Sequence, residues 1–356
     1  MKIIRITTLL DFGGIERKME NLSYWKDDNE WIFVAIGGGG RSEQKIMQNE
    51  KQVYCLGLPY KILSIKSFWT LYQLYIFLKK EKPDVVHCAG AEANFYGIIA
   101  AIMARIPVKV SEEIGIPKHS RIAKIIFKIV FNLSDYVLGE SKKVVCFIQN
   151  NYNISTDKVK QIPNFIINKN NIKRETDYNR FHIVSISRLE PVKNIQLALR
   201  VIKRLSDNYK NILYTIVGGG RENEVLQNLT RELQIEQYVH FVGFQTNPFL
   251  YLSKSDLYIL TSFTEGFSNS LLEAMISGTP TLSTNVGSAE EIIQDGINGW
   301  IIPPDNDDEL YDKIVQIIEL PKKKREAIGQ IGMNTIKENY LLESHMKQLM
   351  MLYEKD

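Results

Sequence analysis

Cysteine is scarce in this sequence, and its positions exclude two kinds of protein. Only three cysteines, Cys55, Cys88 and Cys146, occur in 356 residues. They are odd in number, far apart and without metal-type spacing, so neither a disulfide framework nor a zinc cluster is predicted. This usage favours a reducing compartment, and we expect a cytoplasmic protein.

Long apolar runs and a strong charge of one sign are also missing. The apolar N-terminal segment stops at Asp11, too early for the core of a signal peptide, and no stretch approaches the length of a bilayer span. Any membrane contact is therefore expected to be peripheral. The net charge is only +3, which does not indicate a nucleic-acid partner.

Two glycine signatures for phosphate binding are absent. Gly13-Gly14, after the first predicted strand, does not continue as G-x-G-x-x-G, which argues against a dehydrogenase. The run from Gly37 to Gly40 lacks the lysine of a P-loop, and we interpret it as a flexible connection. The Gly13-Gly14 pair still lets the backbone approach a ligand closely at the end of a strand.

The chain is long enough for two domains, and its pattern restarts near the middle. Buried strands alternate with amphipathic helices up to about residue 168, and a polar segment covers residues 169–179. A new apolar strand then begins at Phe181. We therefore predict two α/β domains, at residues 1–168 and 169–339.

The most informative stretch runs from Leu260 to Thr281. An apolar strand gives way to a glycine turn that begins with Glu265, and a capped helix follows. Unpaired N–H groups and the macrodipole at such a helix N-terminus favour a diphosphate. Glu265 and Glu273 can accept hydrogen bonds from sugar and ribose hydroxyls, so the expected ligand is a nucleotide sugar. The other residues predicted to bind this donor are Gly266, Phe267, Ser268 and Asn269.

A second turn carries two cations. The strand that starts at Phe181 ends before Arg188, and Lys193 follows just ahead of the next helix. Two cations at a strand-to-helix turn are suited to clamp a diphosphate. The D-x-D pattern at 305–307 precedes a helix, and Asp305 is predicted to cap that helix, so neither a metal nor another cofactor is expected.

These two stretches closely resemble the donor-site signatures of the retaining GT-B glycosyltransferases of family 4. The resemblance is carried by Glu265-Gly-Phe-Ser-Asn-Ser-Leu-Leu-Glu273 and by Ser187-Arg-Leu-x-x-x-Lys-Asn194. It implies two Rossmann-like, doubly wound domains facing each other across a cleft. The N-terminal domain would bind the acceptor, the C-terminal domain would bind the donor, and a helix at about 340–356 would cross back to the N-terminal domain.

The resemblance also implies the reaction and its residues. A hexose-type sugar would move from a nucleoside-diphosphate donor to an acceptor hydroxyl with retention, and the departing diphosphate would help to deprotonate the acceptor. Arg188, Lys193 and Glu265 are the implied catalytic residues, and Gly13 and Gly14 would contact the donor from the N-terminal loop. A nucleotide-sugar epimerase of the same architecture and a non-catalytic sugar-nucleotide-binding protein are the alternatives.

The acceptor side is less clear from the sequence. His87 ends a predicted strand and is a candidate to face the acceptor, although a lone histidine is also often structural. Where family members commonly carry a histidine, this chain has Glu113. That residue is a candidate base for the acceptor hydroxyl, while the histidine's role could instead be absent or be taken over by His119.

Two helices in the first half suggest where the acceptor resides. The predicted helix from Lys118 to Phe131 has a basic face among isoleucines, and the one at 68–78 is rich in aromatic residues. Such helices suit an anionic bilayer surface and a lipid-linked acceptor of a cell-surface polysaccharide, such as capsule or lipopolysaccharide. A packing helix with a solvated basic face is the alternative for 118–131.

Overall fold

The computed structural model describes residues 1–11, 13–62, 64–117, 119–167, 174–175 and 179–354. The chain divides into two compact units, Met1–Asn164 with Leu342–Asp356, and Phe165–Leu341. The segment 342–356 thus belongs with the first unit. Most of the predicted linker at 169–179 lies outside the described residues.

The first unit contains a seven-stranded, all-parallel sheet with the order β3-β2-β1-β4-β5-β6-β7. Its strands are short and rich in β-branched residues, as expected for a sheet covered on both faces. They are β1 (Lys2–Thr7), β2 (Glu30–Ala35), β3 (Gln52–Cys55), β4 (Val85–Ala89), β5 (Val108–Glu113), β6 (Tyr136–Gly139) and β7 (Val159–Gln161).

Helices cover both faces of this sheet. The helices in chain order are α1 (Gly14–Leu22), α2 (Arg41–Gln48), α3 (Ser67–Glu81), α4 (Ala91–Met103), α5 (Arg121–Leu133) and α6 (Lys142–Tyr152), with α14 (Leu342–Tyr353) at the C-terminus. Side chains of α3, α4, α5 and α6 share one core with Ile4 and Ile6. Arg5, between them on β1, points to the opposite face, where Tyr353 of α14 contacts it.

The second unit repeats the arrangement with six parallel strands in the order β10-β9-β8-β11-β12-β13. In both sheets the order reverses direction beside the first strand, and ligands bind open α/β sheets at the carboxyl edge of such a point. The strands are β8 (Phe181–Ile186), β9 (Ile212–Val217), β10 (Val239–Gly243), β11 (Leu257–Leu260), β12 (Thr281–Thr284) and β13 (Trp300–Ile302).

Two cores hold this second sheet between its helices. The helices are α7 (Ile195–Asn208), α8 (Asn223–Glu232), α9 (Phe249–Leu252), α10 (Asn269–Ile276), α11 (Ala289–Ile292), α12 (Asp307–Glu319) and α13 (Lys322–Asn339). Two parallel, helix-covered sheets confirm the α/β prediction. No helix among the described residues is long and apolar enough to cross a membrane.

Candidate active site

The two turns singled out in the sequence lie side by side in the second unit. They follow β8 and β11, which are hydrogen-bonded neighbours at the point where the strand order reverses. The Lys193 Nζ donates a hydrogen bond to Glu265 Oε1 at 2.6 Å, and both side chains are largely buried. The structure therefore joins the two sequence motifs into one charged site.

Residues that the sequence did not single out support this contact. Ser262 Oγ donates to the same Glu265 Oε1 at 2.7 Å, and Thr261 Oγ1 donates to the carbonyl of Lys193 at 3.0 Å. The backbone N–H of Phe263 donates to the carbonyl of Val192 at 2.9 Å. The available signal was a pair of hydroxyl residues after an apolar strand, but the partner of Thr261 lies on the other turn, far away in the sequence.

Arg188 is the second cation of the predicted clamp. Its side chain is exposed and forms no ion pair with any residue that the structure describes. Beside it, the hydroxyl of Ser187 is buried and lacks a hydrogen-bond partner among the described residues. Ser187, Lys193 and Ser262 line a small pocket between the ends of β8 and β11. An unpaired hydroxyl and a free guanidinium beside a pocket are suited to an anionic, oxygen-rich ligand.

The N-terminus of α10 opens at the same turn. Ser268 is its N-cap, and its Oγ accepts a hydrogen bond from the N–H of Leu271. Gly287, with φ of 56°, passes the turn so closely that a Cβ would lie 2.7 Å from the carbonyl oxygen of Gly266. Only glycine fits this left-handed position, so the loop after β12 packs directly behind the predicted diphosphate site.

The remaining predicted donor residues lie along α10 and the turn before it. Gly266, Phe267 and Asn269 are half-buried, whereas Glu273 is buried on the second turn of the helix. The ring of Phe267 lies 6.1 Å from that of Tyr340. Their roles in binding a ribose or sugar stay predictions, because the geometry fixes only their positions.

The D-x-D pattern at 305–307 has a different local structure from the one predicted. The capping residue of α12 is Asn306, whose Oδ1 accepts from the N–H of Glu309 at 3.0 Å. Asp305 adopts φ of 55°, and Asp307 lies inside the helix, where it pairs with Arg200 at 2.7 Å. The Asp305 carboxylate instead accepts from the Asn194 amide at 3.4 Å, and the Asp307 carboxylate is engaged in the ion pair.

Comparisons with known proteins agree with this geometry. The family model described as "Glycosyl transferases group 1" matches residues 167–335, and that of "Glycosyltransferase Family 4" matches residues 13–167. The chain belongs to glycosyltransferase family 4.

Two relatives and one solved structure illustrate the similarity. The chain is 25% identical over 342 residues to an Escherichia coli UDP-Gal:alpha-D-GlcNAc-diphosphoundecaprenol alpha-1,3-galactosyltransferase, covering 90% of this chain and 88% of that protein. It is 27% identical over 212 residues, 58% of this chain and 57% of the relative, to a Campylobacter jejuni N-acetylgalactosamine-N,N'-diacetylbacillosaminyl-diphospho-undecaprenol 4-alpha-N-acetylgalactosaminyltransferase. The crystal structure of Anabaena HepE in complex with UDP superposes with a TM-score of 0.86 at 20% identity, covering 99% of each chain.

In the first unit of the glycosyltransferase, the glycine loop starts α1. Gly13 is the N-cap in an extended conformation, and its carbonyl accepts the N–H of Arg17 at 3.1 Å. A Cβ on Gly14 would meet no atom of the described residues within 4 Å, so the described backbone stands open on one side here. That opening is compatible with a ligand, and the donor contact stays a prediction.

His87 lies in a buried charge network rather than on an open surface. Its Nδ1 faces Arg5 Nη1 at 2.5 Å and the Tyr353 hydroxyl at 2.6 Å, and its Nε2 lies 3.2 Å from Glu112 Oε2. Because Arg5 can only donate, Nδ1 must accept and the ring is neutral. Burial, reinforced by the Arg5 charge, lowers the pKa of His87 to about 3. These surroundings favour the structural interpretation of His87, not the predicted acceptor contact.

The same network contains charged residues that the sequence did not single out as functional. Lys18 of α1 donates to Glu112 and, at 2.9 Å, to Glu140. Burial lowers the pKa of Lys18, but the two carboxylates outweigh it and the pKa stands above its ordinary value. Burial alone would raise the pKa of Glu112, yet Lys18 and its other partners hold it well below the usual range. The available signal in the sequence was Arg5, a single arginine within the apolar core of strand β1, because a buried cation needs charged partners.

Glu113 and His119 lie near the carboxyl end of β5. Glu113 is buried, and its Oε2 has no hydrogen-bond partner among the described residues. Burial raises the pKa of Glu113 to about 7, with a further contribution from Glu112. His119 is half-buried; its Nδ1 lies 2.7 Å from the Tyr152 hydroxyl, and its ring stacks on Phe127 at 4.6 Å. A carboxyl that titrates near neutrality can take up a proton, so Glu113 stays a candidate base.

Proposed function

We propose that this glycosyltransferase moves a hexose-type sugar from a nucleoside-diphosphate sugar to a hydroxyl of a lipid-linked glycan, with retention, in the synthesis of a cell-surface polysaccharide. The observation that carries the proposal is the pairing of Lys193 with Glu265 at the N-terminus of α10. This arrangement combines a cation, a hydrogen-bond acceptor and the N-terminus of a helix, which together fit a diphosphate and a sugar.

In the proposed reaction the acceptor oxygen bonds to the anomeric carbon on the face that the diphosphate leaves. The bond from that carbon to the phosphate oxygen breaks, and its electron pair stays on the diphosphate. The same diphosphate takes the acceptor proton. Arg188, Lys193 and the N-terminus of α10 stabilise the growing negative charge, and each such donor is typically worth about 3 to 4 kcal/mol.

The acceptor class is supported by the relatives. The Escherichia coli and Campylobacter jejuni enzymes are both named for acceptors on a diphosphoundecaprenol lipid. A lipid-linked acceptor of the same kind would place this enzyme on the cytoplasmic face of a membrane, as a peripheral protein. Nothing in the named chemistry requires a nucleic acid or a resident cofactor.

A two-stage assay tests the proposal. The enzyme is first incubated with a panel of nucleoside-diphosphate sugars without acceptor, and products are identified by mass spectrometry. We expect slow release of free sugar and nucleoside diphosphate from one donor. Lipid extract containing polyprenyl-diphosphate sugars is then added, and we expect an acceptor heavier by one sugar residue.

The other outcomes separate the alternatives. A changed sugar on an intact nucleotide would favour an epimerase. A thermal shift with a nucleotide sugar but no turnover in either stage would favour a non-catalytic binding protein, because a ligand at a hundred times its Kd adds about 2.7 kcal/mol of stability. Transfer to a water-soluble acceptor alone would overturn the lipid-linked assignment.

A further inference from the structure

Helix α3 is apolar on both of its faces. Thr70, Leu74 and Leu78 are buried, whereas Ile65, just before the helix, and Phe68 on it are 94% and 80% exposed. The exposed stripe continues at helical spacing and consists of Trp69, Tyr72 and Ile76. A soluble helix normally shows polar residues on its outer face, so a stripe of this composition indicates a surface that is covered in use.

Helix α5 repeats the feature with positive charge added. Phe127 and Val130 are buried, and the outer face exposes isoleucines among three cations. The exposed apolar residues are Ile122, Ile125, Ile129 and Leu133, and the exposed cations are Arg121, Lys124 and Lys128. Lys118, at the start of the predicted helix, lies outside the described residues.

The two helices belong to one side of the first unit. Both pack against α4 and share the core on the same face of the sheet. The Tyr96 hydroxyl of α4 donates to the carbonyl of Lys61 at 2.9 Å and so ties the loop before α3 to α4. Since packed helices lie 8 to 10 Å apart, α3 and α5 are separated by about 20 Å. Ile102 and Met103 add exposed apolar surface at the end of α4, between them.

On the exposed outer faces of α3 and α5 the charge has one sign. Neither residues 51–80 nor residues 114–134 contain an aspartate or glutamate, although the whole chain has 41 of them. Residues 51–80 contain five lysines, and residues 114–134 contain four lysines and arginines. Two acidic residues do lie on these helices, and both are engaged. Glu81, the last residue of α3, is largely buried and pairs with Lys2 at 2.7 Å, and Glu92 of α4 accepts from the Thr8 hydroxyl. An apolar surface with cations and without acids is complementary to an anionic one.

This surface also reaches the edge of the sheet where substrates are expected. All strands are parallel, and α3 and α5 each lead from the carboxyl end of one strand back to the start of the next. Their N-termini, with Phe68 and Arg121, therefore lie toward the carboxyl edge that also carries Glu113. A molecule lying along these helices is thus close to the acceptor edge of the same unit.

We propose that the exposed faces of α3 and α5, together the docking face, bind an anionic lipid bilayer, with the side chains of Phe68, Trp69 and Tyr72 entering the headgroup region. This inference rests on the proposed function, since a lipid-linked acceptor is what the docking face would bring to the enzyme. Aromatic residues favour the boundary between headgroups and acyl chains, and the lysines of α5 attract anionic headgroups.

Co-sedimentation with vesicles tests the docking face without relying on catalysis. The full-length enzyme is mixed with vesicles of phosphatidylcholine alone, or with vesicles in which about one lipid in three is the anionic phosphatidylglycerol. We expect binding to the anionic vesicles that weakens as salt rises. The triple variant Arg121→Gln, Lys124→Gln, Lys128→Gln should reduce the partition coefficient about 100-fold, because each cation contributes about fivefold.

Two further variants separate charge from insertion. Phe68→Ser with Trp69→Ser should weaken binding at every salt concentration, because it removes apolar contact and leaves the charge unchanged. The matched control is Lys323→Gln, Lys324→Gln, Lys337→Gln on α13 of the second unit, which removes the same charge from exposed positions and should bind as wild type does.

The outcomes distinguish this inference from the proposed function. Vesicle binding lost only in the α3 and α5 variants, with donor hydrolysis unchanged in all of them, supports the docking face. Equal binding by all variants, or a dimer that dissociates when Phe68 and Trp69 are replaced, would overturn it while leaving the transferase assignment intact. Absence of donor turnover in wild type alongside normal vesicle binding would instead contradict the proposed function.

Discussion

Lys193 Nζ and Glu265 Oε1 lie 2.6 Å apart, although the residues are 72 positions apart in the chain. A different hydroxyl holds each residue in place. The Thr261 hydroxyl donates to the backbone carbonyl of Lys193, and the Ser262 hydroxyl donates to the Glu265 carboxylate. The cation is therefore already in place where the proposed diphosphate would bind. Preorganised charge of this kind is the main source of electrostatic stabilisation in catalysis.

Removing either cation of the clamp should reduce turnover. We expect Arg188→Ala and Lys193→Ala each to lower kcat by about two orders of magnitude, because each loses a group that stabilises charge on the leaving diphosphate. Steady-state kinetics with the donor that the two-stage assay identifies, together with thermal melting, measure this. Lys203→Ala, which removes an exposed lysine from α7, is the control and should keep full activity. Wild-type turnover in either clamp variant would rule the clamp out.

Arg188 and Lys193 should differ in their effect on the resting enzyme. Lys193→Ala leaves Glu265 without its ion-pair partner, whereas the described structure gives Arg188 no such partner. We therefore expect Lys193→Ala, and not Arg188→Ala, to be partly compensated by Glu265→Gln in donor binding measured by calorimetry. Additive losses in the double variant would mean that the pair is not coupled in solution.

Transfer should not depend on a divalent metal. The cations of the clamp can supply the charge that a metal would bring, while Asp307 is engaged by Arg200 and Asn306 caps α12. We expect the initial rate in excess chelator to stay within about twofold of the untreated rate. Loss of activity with chelator and recovery with magnesium or manganese would show that a metal-binding site has been overlooked.

Much of the fold was predictable because its signals are local. Apolar strands that end in glycine or small polar residues, followed by capped helices, identify each βα unit by itself. The turns at Arg188 and Glu265 could be predicted for the same reason. The resemblance to family 4 then assigned both turns to one donor site, and the structure adds that they follow hydrogen-bonded neighbouring strands, β8 and β11.

What the sequence could not supply are contacts between distant residues. Arg5 in an apolar strand indicates only that a buried cation needs partners, and those partners lie on β4, β5 and α14. His87 is the partner on β4, and none of the other members of the network is next to it in the sequence. Its burial in this network could therefore not be predicted. Asp305 was predicted to cap α12, whereas the observed cap is the next residue, Asn306. The prediction was wrong because Asp305 adopts a left-handed conformation that the surrounding sequence does not indicate.

The pKa of Glu113 predicts how stability depends on pH. Its pKa of about 7 in the folded protein is raised above the ordinary value of 4.5, so the folded state holds a proton that the unfolded state loses first. The protonated Glu113 therefore contributes fully to the free energy of unfolding below pH 4.5. As the pH rises to 7, this contribution is lost, and the free energy of unfolding falls by about 3 kcal/mol. Glu113→Gln, which cannot ionise, should therefore be more stable than wild type at pH 8 and similar at pH 4.5.

Thermal melting of both proteins across that pH range measures this effect. The difference in midpoint between variant and wild type should grow between pH 4.5 and 7 and stay constant above. A constant difference at every pH would mean that Glu113 ionises normally in the folded protein. The same variant assayed for transfer tests the candidate base: an unchanged pH profile of kcat/KM would leave proton removal to the diphosphate.

The buried network predicts a large cost for removing Lys18. Lys18→Met leaves Glu140 without its cation and Glu112 with Arg5 as its remaining charged partner. An uncompensated buried carboxylate typically costs about 3 to 5 kcal/mol, so the melting temperature should fall by about 10 °C. Adding Glu140→Gln removes that carboxylate and should restore part of the loss.

The control is Lys45→Met, which breaks the ion pair of a more exposed lysine with Glu20. It should shift the melting temperature by at most a few degrees. Equal small shifts for Lys18→Met and Lys45→Met would show that the network carries no more energy than a surface pair.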